Sequence, residues 1–176
     1  AAANLMEGSP FNRGHVRHNK LLAYQGKRYR YDSFGRMIEK SSVRRGIQSF
    51  AYDADSRLIE VRNPNGHIVR MTYDPLGRRI GKSEHNARGL LIDETRFTWD
   101  GLRLLQEHRY AQTSLYVYAD NGHEPLARVD GVGNLQKIRY YHNDVSGLPE
   151  ELTEADGRTV WRARYRVWGN TTEETR

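Results

Sequence analysis

The sequence has no cysteine, which excludes a disulfide framework and thiolate chemistry. Only 37% of its 176 residues are hydrophobic, and no apolar run approaches the length of a membrane-crossing helix. Neither a membrane span nor a signal peptide is expected in this segment. No stretch carries apolar residues at a 3.6-residue period, so amphipathic helices are not expected either. Glycine-rich phosphate loops and nucleophile elbows are also missing. Lysine is scarce: 23 arginines stand against 5 lysines, and the net charge is +6. Acidic residues lie between the basic ones, so a solvated or paired surface is favoured over a nucleic-acid partner. Aromatics are not lacking. There are 11 Tyr, 4 Phe and 3 Trp, spaced too regularly for a disordered chain. The length suffices for one domain with a core.

The aromatic spacing follows a repeat. Tyr31-Asp32 with Arg36, Tyr52-Asp53 with Arg57, and Tyr73-Asp74 with Arg78 share one pattern, and the tyrosines recur at a period of 21 residues. Ile38, Ile59 and Ile80 keep the same step. A fixed period of this size marks stacked supersecondary units. Before each Tyr, bulky residues alternate with polar ones, as Val69, Met71 and Tyr73 do against Ile68, Arg70 and Thr72. That is the period of a half-buried strand. The Asp carboxylate can cap a turn through nearby backbone N–H groups. Gly35 and Gly77 supply a positive φ in it, and Pro75 presets φ. Ser56 stands where the second copy lacks that glycine, so its turn is expected to differ in type. Each Arg opens the returning strand. A bidentate Asp–Arg pair across the turn would pin its register.

The remaining chain reads as further hairpins. Asn63-Pro64-Asn65-Gly66 is a strong reversal between Arg57–Arg62 and His67–Tyr73, and residues 41–46 read as a link. His85 to Gly89 turns the chain into a strand ending at Trp99-Asp100, where Trp replaces Tyr. Tyr116-Val117-Tyr118 repeats the aromatic step, and Asn121-Gly122 turns it. Strands are expected over Leu135–Tyr141, over Leu148–Thr153 and, last, over Thr159–Trp168. The expected organisation is an irregular lead-in over residues 1–18, a repeat sheet over 19–170 and a polar tail over 171–176. Many short strands at regular spacing argue for an all-β fold of tandem antiparallel hairpins.

Tyr-Asp-x-x-Gly-Arg resembles the YD repeat of Rhs proteins, teneurins and the C component of insecticidal Tc toxins. Tyr73 to Ile80, Thr98 to Leu105, Tyr140 to Asp144, and Leu152 to Gly157 with Trp161 to Tyr165 and Trp168-Gly169-Asn170 resemble the Rhs core in order. The resemblance is to the bacterial type VI effector kind. It implies hairpins joined edge to edge in a spiralling sheet, part of a hollow shell around a C-terminal toxin. It also implies secretion and delivery to other bacteria. The implied partners are the remaining Rhs core chain and the enclosed toxin, with secretion-spike and chaperone proteins acting through other regions. Asp74-Pro75-Leu76-Gly77 is only superficially like the family's self-cleavage motif, because it sits inside a YD unit. The segment reads as a late piece of the shell, without protease or toxin.

No enzyme constellation emerges, and no cofactor or metal is expected. His15 and His18 lack a carboxylate cluster beside them. His142 with Asp144 reads as turn capping. Glu150, Glu151 and Glu154 read as a solvated acidic patch rather than a glycosidase pair. The competing function is a carbohydrate or cell-surface binding module presenting Tyr and Trp platforms. The residues expected to carry the repeat structurally are Tyr31, Asp32, Arg36, Tyr52, Asp53, Arg57, Tyr73, Asp74, Gly77, Arg78, Trp99, Asp100 and Tyr118.

Overall fold

A computed structural model describes residues 15–120, 122–166 and 171–175. Residues 1–14 of the expected lead-in lie outside the described residues. So do Asn121 of the Asn-Gly turn, the 167–170 stretch containing Trp168-Gly169-Asn170, and Arg176.

The fold consists of antiparallel strands in two compact units, residues 1–94 and 95–176. In the first, β1 (His15–Arg17), β2 (Lys20–Tyr24), β3 (Lys27–Tyr31), β4 (Met37–Ser42), β5 (Gly46–Tyr52), β6 (Leu58–Arg62), β7 (Ile68–Tyr73) and β8 (Arg79–His85) follow one another. Each pairs with its successor in sequence. β9 (Leu91–Asp100) leads into the second unit. There β10 (Arg103–Arg109), β11 (Gln112–Tyr118), β12 (Pro125–Asp130), β13 (Lys137–Asn143), β14 (Pro149–Glu154), β15 (Thr159–Tyr165) and β16 (Thr171–Thr175) continue the meander. The expected all-β class and tandem hairpins are present.

Several boundaries differ from expectation. His15–Arg17 is not lead-in but a short strand, because its backbone groups pair with β2. Residues 171–175 are polar and exposed, yet they are not a loose tail. They pair with β15, since a ladder satisfies backbone groups whatever the side chains. β15 is therefore not the last strand. Ser41, Ser42 and Gly46 of the expected link belong to β4 and β5. Leu135 lies in a 3₁₀ turn, Gly133–Leu135, ahead of β13.

Alternation governs the faces. In β7, Met71 is buried while Arg70 and Thr72 are exposed. Across the first unit, Tyr29, Phe50, Val61, Val69 and Met71 share one face by register. The opposite face carries ion pairs from Arg30 to Glu39 at 2.9 Å and from Arg70 to Glu60 at 3.1 Å. Burial is shallow: among the described residues the buried side chains are Met71, Leu152 and Ala163. The length would permit a deeper core, but single-layer hairpins cover one another only along their edges.

Candidate functional site

The most developed side-chain geometry lies at the repeat turns, and it starts from the backbone. At Asp32, Asp53 and Asp74 the Asp N–H donates to the carbonyl of the Arg four residues on, at 3.0 Å each. The residue three after the Asp donates back to the Asp carbonyl. A type I turn followed by one left-handed residue and a bulge has this form, and the bulges fall at Tyr31, Tyr52 and Tyr73. The same backbone bonds recur at Asn63/His67, Asn86/Leu90, Asp144/Leu148 and Glu154/Arg158. Gly77 holds φ at +80° with nothing within 4 Å of the place a Cβ would take, so the dihedral alone explains the glycine. Ser56 holds φ at +65° and makes the same bonds. Its turn does not differ in type; the Asp–Arg frame imposes the geometry on a serine.

The carboxylates complete each turn. Asp32 Oδ1 accepts from the N–H groups of Phe34 and Arg36, and Oδ2 accepts from Arg36 Nε at 2.6 Å. Asp53 and Asp74 take Arg57 and Arg78 in the same way, each Nε contact being 2.6 Å. Arg36 and Arg57 do not form the expected bidentate pair. Their Nη1 atoms reach the next repeat instead, donating to the Asp53 and Asp74 carbonyls at 3.2 Å.

The tyrosines answer in the reverse direction. Tyr52 Oη donates to the Met37 carbonyl and Tyr73 Oη to the Leu58 carbonyl, both at 2.8 Å. Each acceptor follows the Arg whose guanidinium lies over that same ring: Arg36 is 5.0 Å from the Tyr52 centroid and Arg57 is 5.5 Å from that of Tyr73. Such stacking is favourable by roughly 0.5–1 kcal/mol at partly exposed sites. Two further joints follow the rule without matching the motif. Lys20 lies over Tyr31, whose hydroxyl bonds the Leu21 carbonyl. Arg103 lies over Tyr118, whose hydroxyl bonds the Leu104 carbonyl. Lys20 and Arg103 are the residues sequence reading missed. The signal available was a basic residue placed before a bulky apolar one, upstream of each tyrosine.

Electrostatics agree with the geometry. Partial burial pushes the Asp32, Asp53 and Asp74 carboxyls up. The backbone N–H and guanidinium of the paired Arg outweigh it and hold all three below the ordinary aspartate value. Burial, then the Asp32 charge, raises the Tyr52 hydroxyl against the opposing pull of Arg36, so the phenol stays a donor.

Other sequence candidates fall elsewhere. Trp99 and Asp100 lie in register with Leu104 and Arg103 across the β9–β10 turn. His142 bonds Thr153 Oγ1 across strands at 2.9 Å rather than capping with Asp144. Asp144 caps its own turn through the Ser146 and Leu148 N–H groups. Of the acidic patch, Glu151 pairs with Arg162 at 2.7 Å and Glu154 with Arg158 at 2.5 Å, so those two are paired rather than merely solvated. Among the described residues, no group of three or more His, Asp or Glu is placed to hold a metal.

A second cluster, which the sequence reading did not single out, lies in the second unit. Asp130 accepts from Ser114 Oγ at 2.5 Å, from Arg128 Nε and from Arg139 Nη1. Tyr116 donates to Glu107 Oε2 at 3.1 Å. Burial, then the Glu107 charge, pushes its hydroxyl far above the ordinary tyrosine range. Strand register collects these residues from four strands, and no local spacing announces it.

Tandem hairpins locked by Tyr, Asp and Arg define a YD-repeat β-sheet protein. Comparison with known proteins agrees: residues 52–91 match the family model "RHS Repeat" and residues 138–175 match "RHS protein". The chain is an Rhs/YD-repeat protein. It is 36% identical, over 96% of its length, to 13% of Double-stranded DNA deaminase toxin A of Burkholderia cenocepacia (strain H111). It is 29% identical, over 85% of its length, to 11% of Probable deoxyribonuclease RhsB of Dickeya dadantii (strain 3937). It thus spans a small fraction of these relatives. In fold it resembles the crystal structure of TcdB2-TccC3 without its hypervariable C-terminal region. That likeness has a TM-score of 0.59 at 15% identity and covers 93% of this chain and 10% of that one.

Proposed function

We propose that this segment is a structural wall of an Rhs-type shell that encloses a toxin polypeptide for secretion and delivery to competing bacteria. The observation that carries the proposal is the thinness of the sheet. Arg36 and Arg57 each spend a donor on the following repeat and Tyr73 returns one to the preceding repeat, and three buried side chains make no globular core among the described residues. Such a sheet is suited to being a wall. The toxin relatives are consistent with a cargo elsewhere in the polypeptide. The segment itself acts without catalysis or a cofactor, its partners are the rest of the shell and its contents, and secretion follows a type VI route.

The carbohydrate-binding alternative is weakened by the tyrosines it relied on. Tyr31, Tyr52 and Tyr73 have their hydroxyls on backbone carbonyls and a cation over each ring. A sugar platform needs those groups free.

Limited proteolysis of the native full-length protein, with peptide mapping, tests the wall role. The expected outcome is a toxin polypeptide that resists protease until denaturant opens the sheet. A toxin region digested at the same rate under native conditions would refute enclosure.

A further inference from the structure

In β11 the apolar residues lie on the opposite side from the one the repeat motif uses. In β7, Val69 and Met71 share the side of Tyr73, and Arg70 and Thr72 take the other. In β11, Ser114 and Tyr116 share the side of Tyr118, and Leu115 and Val117 take the other. Register extends this second side. Leu115 pairs with Val129 and Val129 with Ile138; Val117 pairs with Ala127 and Ala127 with Tyr140. These six side chains form a block on three adjacent strands with no charge among them. Leu115, Val117, Ile138 and Tyr140 are 38–46% exposed.

Strands β11, β12 and β13 each have a partner on both sides, so no further strand can add to their backbones. The rim of the block is polar but engaged within the sheet. His108 bonds Thr113, His142 bonds Thr153, and Glu151 pairs with Arg162. Strand and residue spacings make the block roughly 14 Å by 14 Å, or about 200 Å². A stable complex between separate molecules needs about 800 Å² from each and on the order of ten hydrogen bonds. The sheet also bends toward its other side, around a cavity of about 960 Å³ lined by Ser114, Arg128 and Tyr141 among others. The block is therefore convex, which limits its contact with a flat partner. A small apolar contact whose rim groups are spent suits a chain segment held nearby at high effective concentration. The matching region is only 13% and 11% of the two toxin relatives, so their polypeptides carry abundant chain that could supply one.

We propose that this block is the docking surface for an apolar stretch of the same polypeptide from outside residues 1–176, packed across the strands by its side chains. The inference goes beyond the wall role and does not depend on whether a toxin is enclosed.

Adjacent residues give the test its control, because Lys137 and Ile138 point to opposite sides of the sheet. The photo-crosslinking residue p-benzoylphenylalanine replaces Val117, Ile138 or Lys137 in the native full-length protein, and crosslinked peptides are mapped by mass spectrometry. Positions 117 and 138 are expected to capture one common apolar stretch from outside residues 1–176 of the same molecule. The yield should not change over a hundredfold dilution, and position 137 should not reach that stretch. Capture of a second copy or of another protein, with a yield that falls on dilution, would overturn the inference. So would capture only within residues 1–176, capture of a charged stretch, equal capture from position 137, or no crosslink from 117 and 138. The proteolysis that tests enclosure gives an independent answer on the wall role.

Discussion

At the scale of single residues, Ser56 is the outlier of the repeat. Its φ of +65° is a conformation that favours glycine. An L-residue there costs roughly 1–2 kcal/mol, offset in part by the greater unfolded-state entropy of glycine. Ser56→Gly is expected to stabilise the first unit by about 0.5–1 kcal/mol, read as a higher urea midpoint at unchanged slope; Ser56→Ala should not. The Asp–Arg pairs make a second prediction at this scale. Their carboxyl pKa values lie lower in the folded chain than in the unfolded one, so the folded state binds fewer protons. Their contribution is complete above the ordinary aspartate pKa, about 4, and is lost as pH falls through the lower folded values. Urea midpoints measured from pH 7 down to pH 2.5 should fall in that acid window, and less steeply for Asp53→Asn. Asn63 and Asn86 show that an amide supports the same turn, so Asp53→Asn should retain more stability at pH 7 than Asp53→Ala. Equal losses would mean that the carboxylate charge, not the cap, dominates.

At the scale of the element, the unit of stability is not the hairpin but the joint between consecutive hairpins. Arg57 caps its own turn, reaches the next turn and covers the next tyrosine. The Tyr73 hydroxyl returns a bond to the strand that Arg57 opens. Arg57→Met and Tyr73→Leu should therefore be non-additive, with a coupling of about 1 kcal/mol in a double-mutant cycle. Additive losses would show that the stacking contributes nothing beyond each residue's separate contacts. The 21-residue spacing and the Asp–Arg partnership were legible in sequence because the turn is local. The joint was not, because Tyr73 and the Leu58 carbonyl meet only through strand register. Lys20 fills an arginine's place over Tyr31 for the same reason.

At the scale of the whole molecule, terminal strands matter more than a core. Among the described residues, β1 and β16 each pair on one side only. β1 has three residues and β16 carries Glu173 and Glu174, features that blunt an edge without removing its unpaired backbone groups. The isolated segment is expected to self-associate, with a sedimentation coefficient that rises with protein concentration. A monomer invariant over a hundredfold range would show that shortness and charge suffice to protect the edges.

Sequence alone determined the fold class, the turn positions and the pairing of each repeat Asp with its Arg. All three depend on spacings of a few residues and on the two-residue period of a strand. Only tertiary structure decided that Ser56 would be forced left-handed, that residues 171–175 would become a strand and that tyrosines and cations would lock successive repeats. It alone also brought Ser114, Arg128 and Arg139 onto Asp130. These outcomes depend on register between strands, which brings residues 15 or more positions apart within hydrogen-bond distance, and no local pattern encodes that distance.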